Sequence, residues 1–115
     1  GMKYRHYAPT THCTLVYSDD NQKMVNQILQ MAKEHEKVLI VSTTENMKNF
    51  QGYPCLDMGS QNDLEEISHR IFSLLRKIDP YQVDVALIEG VKAEGMGLAI
   101  MNRLIRACEH DYIQL

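Results

Sequence analysis

An α/β fold is predicted for this 115-residue chain by three features of its sequence. Short apolar runs alternate with longer segments whose apolar residues recur every three and four positions. The strongest runs, residues 37–41 and 84–89, are continuous rather than alternating, the habit of parallel strands covered on both faces. Right-handed crossovers then favour a small doubly wound, three-layer sandwich. Its sheet is expected to be mostly parallel, with about four to five strands in the order 3-2-1-4 and helices on both faces.

The elements follow in order. Residues 1–12, GMKYRHYAPTTH, hold no core-forming run and read as an extended arm, with Ala8 biased toward extension by Pro9. Gly1-Met2 reads either as native or as an added residue before an initiator. Cys13 to Tyr17 reads as a strand, and Ser18-Asp19-Asp20-Asn21 as the cap of a helix burying Met24, Val25, Ile28, Leu29 and Ala32. Lys37 to Val41 is a buried strand. Thr43 to Asn46 opens a short helix that ends near Gly52, and Tyr53 to Met58 is a weaker strand interrupted by Pro54.

Ser60 to Asn62 cap a long helix from Asp63 to Ile78, with Leu64, Ile67, Ile71, Leu74, Leu75 and Ile78 on one face. Asp79-Pro80 stops it. Asp84 to Glu89 is the next strand, ended by Gly90. The last helix starts within Glu94 to Gly97 and runs to Cys108, with Leu98, Met101, Leu104, Ile105 and Cys108 as its apolar face. Asp111 to Leu115 is a short strand or a tail. Residues 1–12 and 13–115 thus form an arm and a single globular domain.

Composition removes several functions. Twelve Lys and Arg against fifteen Asp and Glu leave a net charge of −3, unlike a basic nucleic-acid binder. No apolar run approaches the ~20 residues of a membrane span, and no secretory signal opens the chain. Three widely spaced cysteines, Cys13, Cys55 and Cys108, fit reduced thiols of a cytoplasmic protein rather than a disulfide scaffold or zinc site.

Ligands of such sheets sit beyond the carboxyl ends of the strands. There the cluster Gly90 to Gly97 resembles a phosphate cradle, but it lacks the Gly-Lys-Ser/Thr ending of a P-loop and the third glycine of a dinucleotide fingerprint. Glu89 and Glu94 also add negative charge. Tight turning and close packing explain Gly95 and Gly97 more simply. His35 and His69 read as solvated helix residues, and Cys13 and Cys108 as core. Cys55, beside Pro54, is less clearly core. No catalytic set and no metal-ligand spacing emerge. Asn102 and Arg103 lie off the apolar stripe, free to pair with Glu89 or Glu94 or to contact another domain. In the arm, Lys3, Arg5 and His6 interleave with Tyr4 and Tyr7, a mix suited to a phosphate and a stacked base.

Two segments carry a specific resemblance. MKYRHYAP, residues 2–9, closely resembles the interdomain linker of the long, two-domain form of L-threonylcarbamoyladenylate synthase. EGVKAEGMGLAIMNRLIRAC, residues 89–108, resembles the end of that family's second domain through Gly95, Gly97, Leu98, Ala99, Ile100, Asn102, Arg103, Leu104, Arg106 and Ala107. Thr10-Thr11 departs from it, a lysine being common after Pro9. The resemblance implies a Rossmann-like accessory domain without catalytic residues of its own. In the full enzyme, threonine, bicarbonate and ATP, with Mg2+, give threonylcarbamoyl-AMP for tRNA modification. Catalysis there belongs to an N-terminal domain, the partner of this one. The linker crosses the catalytic cleft, so Lys3, Tyr4, Arg5, His6 and Tyr7 would close over nucleotide and intermediate. The competing readings are an independent nucleotide-binding module using the Gly90–Gly97 turn and an interaction module for protein or, more weakly, tRNA.

Overall fold

The computed structural model describes residues 8–115. Five strands, β1 (Cys13–Tyr17), β2 (Val38–Ser42), β3 (Cys55–Asp57), β4 (Val85–Glu89) and β5 (Tyr112–Gln114), form one sheet. Every pairing in it is parallel. Three α-helices, α1 (Asn21–Ala32), α2 (Leu64–Arg76) and α3 (Met96–Ala107), connect them, with 3-10 turns at Thr44–Phe50 and Asp79–Tyr81.

The two-residue period of the strands divides the core. Val16, Val38, Ile40, Val85 and Leu87 face α1 and Phe50. Leu15, Leu39, Val41, Ala86 and Ile88 face α2 and α3. This is the three-layer sandwich expected, because continuous apolar strands need cover on both faces.

The strand order is β3-β2-β4-β1-β5, not 3-2-1-4. β4 takes the centre, between β2 and β1, and β5 covers the outer edge of β1. Adjacency of consecutive strands is only a tendency, and here it yields to the pairing of β2 with β4. Asp84 N–H donates to Lys37 O (2.8 Å), and Lys37 N–H donates to the Asp84 carboxylate (3.1 Å), pinning the starts of those two strands together. The order still obeys handedness. The connections β1→β2 and β2→β3 move one way and lie on the α1 face, whereas β3→β4 and β4→β5 move back over the other face. β1 and β4 are therefore neighbours whose chains leave toward opposite faces.

Capping follows local chemistry. The Asp20 carboxylate accepts from Gln22 and Lys23 N–H at the start of α1. Asp63, rather than Ser60 to Asn62, caps α2 by accepting from Glu66 N–H (3.1 Å). The weak strand shrinks to Cys55–Asp57 after Pro54. Leu98 is not part of the apolar face of α3: it is 50% exposed. The buried stripe is Gly97, Ile100, Met101, Leu104 and Ala107, continued by Cys108. Close approach of backbone at Gly97 sets that rotation, as described below. No helix among the described residues is long and apolar enough to cross a membrane.

Candidate functional site

Two places carry the functional readings, at opposite edges of the sheet. At the amino edge the chain enters β1 through residues 8–12, and Pro9 is already buried. Asp79, in the turn before β4, holds this entry: its carboxylate accepts from Thr10 N–H (3.0 Å), Thr11 N–H (2.9 Å) and the Thr11 hydroxyl (2.8 Å). On the other side of β1, Asp111 Oδ2 lies 2.6 Å from His12 Nε2 and accepts from the Thr14 hydroxyl at 2.6 Å. Thr10 and Thr11 are thus the residues that fasten the entry. Lys3, Tyr4, Arg5, His6 and Tyr7 lie outside the described residues.

Burial by itself would raise the Asp79 carboxyl. The Thr11 and Thr10 N–H groups and the Thr11 hydroxyl favour its ionised form and hold it below its ordinary value. A lowered folded pKa stabilises fully above the unfolded value of ~3.9 and is lost as pH falls through the folded one. Asp79→Asn should therefore lower stability by about 1 kcal/mol at neutral pH, kept small by exposure. The gap from wild type should stay level above about pH 5 and shrink below about pH 4 in urea titrations. A gap that widens in acid would contradict this anchor.

At the carboxyl edge, β4 ends in Glu89, only 1% exposed. Donors converge on its carboxylate. Oε1 accepts from Thr43 N–H (3.0 Å) and lies 3.1 Å from Ser42 Oγ, whose single proton also has Thr43 O at 2.8 Å. Oε2 accepts from the Thr43 hydroxyl (2.7 Å), Asn46 Nδ2 (3.0 Å) and Gln61 Nε2 (3.3 Å). Asn46 passes the network on through a reciprocal amide pair with Asn21, at 3.0 and 2.8 Å. Glu45 draws in the loop that carries Gln61 by accepting from the Ser60 hydroxyl and from Gln61 N–H (2.8 Å), and the Ser60 bond foremost lowers its pKa. Glu89 thus ties the ends of β2 and β4 to the first turn of α1 and to the loop before α2. The five donors come from the end of β2 and from loops, all distant in sequence, so the spacing around Glu89 gave no sign of them.

Beside this network lies a cleft of about 270 Å³, lined by residues from the ends of β1 and β4, the start of α1 and the loop before α2. Gly90 belongs to its lining; Gly95, Gly97, Asn102 and Arg103 do not. Gly90 has little room: a Cβ there would lie 3.0 Å from both Met101 Sδ and Tyr17 Cβ. The Tyr17 phenol donates to Asp19 Oδ1 (3.1 Å), and burial, helped by that bond, pushes its pKa up to about 12, so it stays protonated.

The glycine turn is explained by backbone geometry. Gly95 has φ 56° and ψ −128°, a conformation that side chains avoid. A Cβ on Gly97 would lie 2.0 Å from the Lys92 carbonyl oxygen. Lys92 Nζ is 3.5 Å from Glu94 Oε1. Arg103 lies over the Phe72 ring, 5.0 Å from its centroid, bridging α3 and α2 rather than reaching Glu89 or Glu94. Asn102 is exposed.

His35 and His69 are exposed. Cys13 and Cys108 are buried and Cys55 half-buried. The hydrogen bond with Cys13 and then burial push the Cys108 thiol up, and burial pushes up Cys55, so neither is a ready thiolate. No group of three or more His, Cys, Asp and Glu among the described residues could hold a metal ion.

Residues 1–108 match the family described as threonylcarbamoyl-AMP synthase, C-terminal domain. Threonylcarbamoyl-AMP synthase of Pyrococcus abyssi is 34% identical over 118 residues, covering 100% of this chain and 33% of the relative. That of Schizosaccharomyces pombe is 36% identical over 115 residues, covering 93% and 28%. The chain therefore spans about a third of the length of these curated relatives. Among solved structures, P. abyssi Sua5 complexed with L-threonine superposes with a TM-score of 0.75 at 34% identity, over 100% of this chain and 33% of that one. The C-terminal Sua5 domain from Pyrococcus horikoshii gives 0.68 at 25% identity, over 94% and 100%.

Proposed function

Because the chain belongs to the family of threonylcarbamoyl-AMP synthase C-terminal domains, we propose that it is the accessory domain of such an enzyme and holds its active-site-covering arm. The observation that carries this reading is the fastened root of the arm. Asp79 takes three hydrogen bonds from Thr10 and Thr11, and Pro9 is buried, so the globular body fixes where residues 1–7 depart. The family match over residues 1–108 takes in the arm as well as most of the body.

The whole enzyme would join threonine, bicarbonate and ATP into threonylcarbamoyl-AMP, with ATP, Mg2+ and nucleotidyl transfer handled by a catalytic domain preceding the arm. Lys3, Arg5 and His6 would offer positive charge to the nucleotide, and Tyr4 and Tyr7 stacking faces. Covering the cleft keeps water from a mixed anhydride that hydrolyses readily. The free thiols suit the cytoplasm, and the negative balance gives RNA little hold on the body.

The test uses the full-length enzyme. Tyr4, Arg5 and Tyr7 are changed together to alanine, and threonylcarbamoyl-AMP formation and its loss to solvent are measured. Turnover should fall about 10-fold or more, or release of the intermediate should rise. Unchanged turnover with unchanged leakage would end the covering role.

A further inference from the structure

The cleft lies at the carboxyl end of β1, the opposite end from Thr10 and Thr11, which fasten the root of the arm. It stands where β1 and β4 lie side by side and their chains leave to opposite faces, the position at which open α/β sheets bind small molecules. We propose that this cleft binds an uncharged, nucleoside-sized ligand: a heterocycle joined to a vicinal diol.

The lining supplies the chemistry. Ser18 is 4% exposed and lines the cleft. Its oxygen accepts from Asp20 N–H (3.0 Å), and no acceptor for its own proton is found among the described residues. Asp19 Oδ1 takes the Tyr17 phenol, and no described residue donates to Oδ2. A carboxylate accepts only, so a diol is its natural complement. Gln61 spends both Nε2 protons on Thr43 and Glu89, and its Oε1 takes no donor from the described residues. The Asn62 amide likewise has no described partner, although its backbone N–H donates to Ser60 Oγ. Side-chain amides offer the donor and acceptor pair that a heterocycle edge requires. Met24, Leu64 and Val91 add apolar wall for its flat face.

Charge decides against phosphate. Lys92 is the one cation in the described lining, and it sits 3.5 Å from Glu94, while Asp19 and Glu89 contribute negative charge. A cleft of 270 Å³ lies just below the ~300–1,000 Å³ of drug-sized sites, which suits one nucleoside and excludes a dinucleotide.

The isolated P. horikoshii domain has been crystallised as a unit, so the 115-residue chain is a fair test object. Isotope-labelled chain is titrated with adenosine, AMP, ATP and 2′,3′-dideoxyadenosine by NMR. Adenosine should give saturable shifts at the amides of 18–21 and 90–92 and at the side chains of Gln61 and Asn62. AMP should bind more weakly, and ATP more weakly still. Loss of the diol should weaken binding about fivefold or more, and Asp19→Asn should do the same for adenosine. No saturable shift up to about 10 mM, ATP binding tighter than adenosine, or equal binding of the dideoxy compound would each overturn the proposal.

Discussion

Gly97→Ala is expected to cost about 3 kcal/mol or more of folding stability, the largest loss from adding a single methyl group to this domain. The new Cβ would lie 2.0 Å from the Lys92 carbonyl oxygen and 3.2 Å from its carbon. Both belong to backbone, so no side-chain rotation relieves the contact. That carbonyl also accepts Glu94 N–H (2.9 Å), and Glu94 O accepts Gly97 N–H (2.9 Å), so the turn before α3 moves as a unit or not at all. Against a typical total of ~5–15 kcal/mol, this is a large fraction. Thermal unfolding followed by circular dichroism should show Tm lower by about 12 °C or more. Gly95→Ala is the comparison. Open space surrounds that position, so its cost is the left-handed backbone alone, about 1–3 kcal/mol. Should Gly95→Ala prove the more damaging, the close approach of Lys92 to α3 would not be what the glycine protects.

Glu89→Gln keeps the shape of the side chain and should still destabilise by about 3 kcal/mol. The carboxylate is surrounded by donors. Whichever oxygen becomes an amide nitrogen then faces N–H or O–H groups that it cannot accept. On the Oε1 side the donor is the backbone N–H of Thr43, which has no freedom to turn away. On the Oε2 side three donors lose their partner together. Urea unfolding measures the loss. Hydrogen exchange should show faster exchange at Thr43 and Gln61, because the ends of β2 and β4 and the loop before α2 are joined through this group. Ser42→Ala, which removes a proton that Thr43 O also shares, should cost about 1 kcal/mol or less. Equal losses in the two variants would mean that Glu89 is only one hydrogen bond among several.

Much of the fold was legible because local physics decides it. Val85 to Ile88 and Val38 to Val41 are apolar throughout, the habit of a parallel strand covered on both faces. The three-and-four spacing of Ile67, Ile71, Leu74 and Leu75 placed α2 and its buried face. Gly95 and Gly97 were readable as turn and packing residues, since both needs are met only by the missing side chain. Leu98 misled because apolar periodicity cannot register a backbone contact one residue earlier.

What the sequence by itself determined is the set of strands and helices, their parallel arrangement and an arm carrying charge and rings at the start of the chain. These depend on neighbours a few residues apart. Only the tertiary structure decided that β4 lies between β2 and β1, that Asp79 fastens the arm's root, and that Glu89 gathers Ser42, Thr43, Asn46 and Gln61. Each of these joins residues 28 or more apart in the chain. No periodicity reports such a meeting, because strand order and loop convergence are set by which buried surfaces and hydrogen-bonding groups satisfy one another once the whole sheet has formed.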